Sequence, residues 1–376
     1  MVEYKSALEK RSDKMAKGNQ HFVPRVYLKR WSPQGNQSVF YFEKPDLSIG
    51  QPRNVKSILY NRHTYTINFD LYYVLDYMPE IKADFAKQML EILKNYNVVA
   101  FYNGVELNTK ELLFEPHNLC SIDRWEFRKK DNLLAPKQKI LNSIKEIRSY
   151  IIETSLDDFI EKKWNDTLDK FLSEIEIGYK NRIGDEDITV DNSTIEEIVA
   201  IMLLFMCRNP KFDCQGIFPS IENVLTGFLI NHTAGEIPKE NIYQYVNEQI
   251  RGAWLCQVYK ALFSNDVSYF REFFRKIKER CQIRLLYCPE NAGAFITSDN
   301  PAFSHINNVT RYNYNAIYFP LTPQYLLVIG NGQPNSLNKI EVKIVNNKGV
   351  KSYNKIILSK SYTSIVSNKK YLGYII

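Results

Sequence analysis

The chain has 376 residues, 44% of them apolar and 24% charged, with 49 Lys and Arg against 42 Asp and Glu and a formal net charge of +7. That composition can bury a sizeable core and excludes wholesale disorder, and the length suits two lobes at roughly 150 residues per domain. The charge is uneven: residues 1–31 carry +5, residues 301–376 carry +8, and the stretch between them carries −6.

Residues 1–20 form a polar arm without the apolar core of a secretory signal, so a cytoplasmic protein is expected. From His21 to Trp31 the apolar positions, Phe22 and Val26 among them, predict a short helix with Pro24 in its first turn. Ser32 to Asn36 breaks the chain, and Val39 to Phe42 reads as a strand. A helix is expected over Leu71 to Tyr96, interrupted near Pro79. Between 97 and 135 short strands alternate with turns, and Asn103-Gly104 predicts a tight hairpin.

From 136 to 282 the apolar period becomes helical. Ile140, Ile144, Ile147 and Ile151 form one stripe, and Leu156, Phe159, Ile160, Trp164 and Leu168 a second. Further helices are predicted at 193–208, 219–231, 239–264 and 267–281. The apolar run Ile198–Cys207 is about half of the ~20 residues that cross a bilayer, so it reads as a buried helix and no membrane partner is expected. Beyond Cys281, strands are predicted at 283–287, 294–297, 316–319, 325–329 and 340–345, with a last helix over 350–361. The sum is an α+β chain: a helical middle lobe and a mostly antiparallel C-terminal sheet, joined by the segment that His21 opens. The expected divisions are a polar arm (1–20), a mixed segment (21–135), a helical lobe (136–282) and a C-terminal sheet with its final helix (283–376). The six cysteines are scattered without a C-x-x-C pair, which points to reduced thiols.

Four patterns in this order resemble one family. They are His21-Phe22-Val23-Pro24 with Tyr27-Leu28, Arg208-Asn209-Pro210-Lys211-Phe212, Thr297-Ser298-Asp299-Asn300-Pro301, and Phe319-Pro320-Leu321-Thr322-Pro323. Val345-Asn346-Asn347 and Asn354 also fit. The chain is similar, from 21 to about 367, to the domain of unknown function 4238 (DUF4238). Residues 70–135 match its pattern poorly and read as an insertion or a divergent segment. The resemblance implies a bacterial or phage-borne cytoplasmic protein and carries no activity with it.

Four residues are candidates for catalytic chemistry. His21 has the titration range and the two nitrogens of a general base or metal ligand, or equally of a packing histidine. Arg208 ends the apolar helix, where a guanidinium needs a phosphate, a carboxylate or the helix terminus as its partner. Asp299 and Asn300 follow a predicted strand and suit metal holding or anion stabilisation, or equally an Asx turn before Pro301. Lys211, Lys351 and Lys355 are candidates for substrate or nucleic-acid contact, the last two four apart on one helix face. His63, His117, His232 and His305 lack a neighbouring histidine at metal-ligand spacing. Phosphate-cradling glycine loops, H-E-x-x-H and G-x-S-x-G are absent.

Two readings follow. In the first, an enzyme acts on a phosphate-containing substrate, as a nuclease or nucleotide-processing effector would, with a divalent metal ion as a compatible cofactor and nucleic acid or a nucleotide as partner. In the second, the same residues are structural in a binding or sensing module, and the basic C-terminus contacts nucleic acid or a protein. Mutual satisfaction of the polar groups would separate the second from the first.

Overall fold

The computed structural model describes residues 19–33, 35, 37–62, 79–113, 118, 121–129, 135–156, 162–181, 187–209, 211, 269–307, 314–333, 336–373 and 375–376. The helices expected at 219–231 and 239–264, and the part of the expected Leu71–Tyr96 helix before Pro79, lie outside them.

In chain order, Asn19–His21 (β1) leads to Arg25–Leu28 (α1), with Pro24 as its extended N-cap at φ −58° and ψ 136°. Pro24 thus stands just before the helix rather than inside its first turn. Ser38–Glu43 (β2), Asp46–Asn54 (β3) and Tyr60–Arg62 (β4) follow. Pro79–Asn95 (α2) begins on a proline, whose missing N–H costs nothing there. Val98–Tyr102 (β5) and Val105–Glu106 (β6) are joined by Asn103 and Gly104 at φ +49° and +81°, the two positive values that a tight hairpin turn requires. Next come Lys110–Leu113 (α3), Glu126–Lys129 (β7) and Lys137–Leu156 (α4). Lys162–Asn181 (α5) and Ile188–Thr189 (β8) precede Asn192–Arg208 (α6), capped by the Asp191 carboxylate, which accepts from the Ser193 N–H at 3.2 Å. Tyr269–Arg280 (α7) runs straight into Cys281–Tyr287 (β9). Thr297–Ser298 (β10), Phe303–Asn307 (β11), Tyr314–Pro320 (β12), Tyr325–Asn331 (β13) and Lys339–Ile344 (β14) follow; β12, β13 and β14 fall on predicted strands, whereas β11 was not expected. Asn347–Lys360 (α8) starts three residues earlier than expected because the Asn346 side chain caps it, accepting from Gly349 N–H at 3.0 Å; Ser364–Ser367 (β15) follows.

The strand expected at 294–297 is mostly not a ladder. Phe295 N–H bonds to Pro323 O and Ile296 N–H to the Asn354 side chain, so only Thr297 and Ser298 pair with a strand.

The described residues divide into two compact units. One is drawn from His21–Tyr60, Asp157–Phe218 and Val258–Ile376, the other from Met1–Gln20, Asn61–Leu156 and Pro219–Gln257. Of the described helices between 136 and 282, α4 belongs to the second unit and α5 to α7 to the first. The fold class is α+β.

The larger unit holds a six-stranded sheet in the order β11-β12-β13-β9-β14-β8, antiparallel except for the parallel β14–β9 pair, and a four-stranded sheet in the order β10-β15-β2-β3. In the second sheet β2 lies between β15 and β3, so the N-terminal hairpin is completed by nearly the last residues of the chain. Gly50 on β3 permits that hairpin: a Cβ there would stand 2.5 Å from the Phe42 ring. Every residue of α6 from Ile198 to Arg208 is buried, as expected for a helix apolar all round. Beside it Tyr27, Trp164, Phe205 and Phe319 pack their rings, Tyr27 stacked on Phe319 with centroids 5.6 Å apart and edge-on to Phe205 at 5.2 Å.

The smaller unit has the sheet β6-β5-β7 with α2 and α4. Its core takes Phe85, Met89 and Leu93 from α2, Ile140, Leu141 and Ile144 from α4, and Trp125, whose indole N–H donates to Asn118 O at 2.7 Å. Among the described residues no helix is long and apolar enough to cross a membrane.

Candidate functional site

The seven candidate residues, His21, Arg208, Lys211, Asp299, Asn300, Lys351 and Lys355, belong to the larger unit. His21 ends β1, and the chain then bends so that Phe22 N–H reaches Leu59 O at 3.2 Å and the imidazole meets the Tyr60 ring at 5.7 Å. Arg208 is fully buried at the end of α6, and its Nη2 donates to the His21 carbonyl oxygen at 2.7 Å. One residue on, Asn209 Nδ2 donates to Asp299 O at 2.6 Å, while its Oδ1 accepts from Lys211 N–H at 2.8 Å. Three separated patterns are thus tied in a row: His21 to Arg208, and Asn209 to Asp299.

The fourth pattern joins through Tyr27. Its hydroxyl donates to Pro320 O at 2.8 Å and shares a 2.7 Å bond with Thr297 Oγ1. Burial pushes the phenol well above its ordinary range, so it stays protonated and able to donate. Trp31 adds a bond from its indole N–H to Phe295 O at 3.1 Å.

The carboxylate of Asp299, 3% exposed, spends its oxygens on one loop. Oδ1 accepts from Tyr362 N–H at 2.9 Å; Oδ2 accepts from Thr363 N–H at 2.6 Å, Thr363 Oγ1 at 2.7 Å and Ser364 N–H at 3.2 Å. Among the described residues it holds the entry to β15 and neither clamps Arg208 nor orients His21. Asn300 donates through Nδ2 to Lys360 O at 3.0 Å, closing the end of α8. The turn before Pro301 is made by Ser298, whose Oγ accepts from Asn300 N–H at 3.0 Å; neither Asp299 nor Asn300 forms it.

His21 is different. It is 8% exposed, and among the described residues its Nε2 is buried without a hydrogen-bond partner. Burial first, then the charges of Arg25 and Arg208, lower its pKa to about 4, against a smaller opposite pull from hydrogen bonding to the backbone of Lys56 and Val55. The ring is neutral at pH 7.

Lys211 lies at the same junction: its Nζ stands 5.3 Å from the centroid of the Tyr362 ring, whose hydroxyl donates to Lys211 O at 3.1 Å. Lys351 and Lys355 lie one turn apart on α8. His305 has a buried Nδ1 without a hydrogen-bond partner among the described residues, and burial and Lys360 lower its pKa. His63, His117 and His232 fall outside the described residues. The buried Cys288 thiol is pushed up to about 11 by desolvation, which makes it a poor nucleophile. Among the described residues no group of three His, Cys, Asp or Glu side chains is placed to hold a metal ion.

Sequence reasoning passed over Arg25, Tyr27 as a hydrogen-bonding group, and Asn209. Each lies inside a pattern already quoted, so the available signal was position within the motif rather than residue type.

No curated protein and no solved structure gives a significant match to this chain. A family model does match, over residues 19–371, and its bounds enclose all four patterns and every contact described above. The chain belongs to the family described as "Protein of unknown function (DUF4238)".

Proposed function

We propose that this chain binds and acts on a phosphate-bearing substrate, of the nucleic-acid or nucleotide class, at His21. The observation that carries the proposal is the buried Nε2 of His21, without a hydrogen-bond partner among the described residues and with Arg25 and Arg208 as its charged neighbours. A neutral imidazole beside two guanidinium groups suits the arrival of an anion. A phosphate there would offset the two positive charges and raise the affinity of Nε2 for a proton. That moves the ring towards the range in which it can take a proton from an attacking hydroxyl or water. Arg208 fixes the main chain that carries His21, and Asp299 and Asn300 act as positioning residues through the loop and helix end they hold. Lys211, Lys351 and Lys355 are proposed as contacts to the substrate's charge. A divalent ion remains a cofactor to be tried in the assay.

The second reading, a binding or sensing module in which these residues are structural, is favoured by one specific observation: the Asp299 carboxylate is already saturated by the 362–364 loop.

The test incubates wild type and His21→Gln with labelled RNA, DNA and nucleotides, with and without divalent metal. The expected result is conversion of one substrate class by wild type and its loss in His21→Gln. If no substrate is altered and the substitution only lowers the melting temperature, the enzymatic reading is overturned in favour of the structural one.

A further inference from the structure

A cavity of ≈ 360 Å³ in the larger unit lies between the start of α8 and the segment after β15. It brings together Lys369, Lys370 and Tyr371, three consecutive residues of the basic C-terminal stretch. In an extended strand, neighbouring side chains point to opposite faces. Here the chain bends over 368–370, so both lysines line the same space.

The bend is fixed from two sides. Lys369 N–H donates to Ser367 Oγ at 3.0 Å, and Lys370 O accepts from Gly50 N–H at 2.9 Å. Lys370 Nζ lies 5.5 Å from the centre of the Tyr371 ring, and that residue remains 49% exposed. Asn291 and Asn347 also line the space, and Asn347 Nδ2 is tied to Ala292 O at 3.2 Å. Gly293, at φ +120°, shapes the wall where a Cβ would come 3.4 Å from Ile375 Cγ2. Glu290 is the acidic member of the lining.

We propose that this cavity binds a nucleoside monophosphate or a molecule of the same chemistry, a phosphate joined to a flat ring. Two lysines held side by side leave a positive charge that Glu290 offsets only in part, which a phosphate would complete. The exposed Tyr371 ring offers a stacking face, and the Asn291 amide and the Glu290 carboxylate offer hydrogen bonds to ring and sugar groups. The volume falls at the small end of ligand pockets, which suits a mononucleotide rather than a dinucleotide. This inference does not depend on chemistry at His21.

The experiment is a calorimetric titration of the full chain with AMP, GMP, CMP and UMP, each compared with inorganic phosphate and with adenosine. It is repeated on Lys369→Ala/Lys370→Ala, on Tyr371→Ala, and on Lys339→Ala as a control at the exposed start of β14. At least one mononucleotide should bind saturably and at least tenfold more tightly than phosphate or adenosine. Affinity should fall at least tenfold in the double-lysine variant, several-fold in Tyr371→Ala, and hold in Lys339→Ala. The substituted side chains are exposed, so melting temperatures should stay near wild type. Absence of saturable binding at millimolar mononucleotide overturns the proposal, as does unchanged affinity in the double variant. Equal affinity for free phosphate with no effect of Tyr371→Ala overturns the ring-bearing ligand.

Discussion

The neutral, buried His21 makes stability depend on pH in a defined direction. Its pKa is about 4 in the folded chain against 6.5 for the ordinary side chain. The unfolded ring takes up a proton as pH falls through 6.5, while the folded ring resists until about 4. Acidification therefore favours unfolding across that window, and the stability present above 6.5 is lost on the way down. Between pH 7 and pH 5 the two values correspond to a loss of about 2 kcal/mol. The assay is denaturant unfolding at pH 7 and pH 5 for wild type and His21→Gln. The substitution keeps the backbone carbonyl that Arg208 holds and removes the titration. Its constant offset, from lost packing on Tyr60, cancels when each protein is compared with itself at the two pH values. Wild type should lose about 2 kcal/mol more than the variant. In labelled-histidine NMR, one ring should titrate near 4 and be missing from His21→Gln; saturating phosphate-bearing substrate should raise that value. Parallel pH dependence of the two proteins, or a His21 ring titrating near 6.5, would refute the reasoning.

Asp299→Asn places an amide donor against the backbone donors of Tyr362, Thr363 and Ser364. We expect a loss of about 3 kcal/mol or more in chemical denaturation, and faster hydrogen exchange at those three amides. A cost below about 1 kcal/mol would show that the loop does not depend on the carboxylate. Tyr27→Phe keeps the ring stack on Phe319 but leaves Pro320 O and Thr297 Oγ1 short of a partner, for about 1–3 kcal/mol by the same measurement. Melting at the wild-type temperature would contradict it.

The α+β class was legible because apolar period is a local property: the ten-residue run Ile198–Cys207 announces a buried helix, and Tyr325–Ile329 a strand, without reference to anything distant. That His21, Arg208 and Asp299 stand beside patterned stretches was legible as well. Their partners were not. Arg208 donates to a carbonyl and Asp299 accepts from backbone amides, and backbone groups are the same at every position, so they leave no trace in the residue letters. The failed strand at 294–297 has the same cause. Its β-forming residues are genuine, but the Asn354 side chain and Pro323 O take the backbone bonds that a ladder would have used. Asn354 also donates to Ala294 O and Ile375 O, three chain segments held by one buried amide.

The order of strands β10-β15-β2-β3 has a consequence for the ribosome. The hairpin of β2 and β3 is made early, yet the strand that closes its inner edge begins at Ser364. At roughly 5–20 residues per second, that edge waits about 15–60 s for its partner. During that interval an aromatic strand, Val39-Phe40-Tyr41-Phe42, carries unpaired amides and carbonyls, the condition that invites mispairing between nascent chains. Lys44 is in the same position, since the carbonyls its Nζ reaches belong to Leu358 and Ser361. The larger unit is therefore a fold whose early hairpin is closed late in synthesis. A stop codon before Ser364 would remove the closing strand and yield an aggregation-prone chain rather than a slightly weaker one.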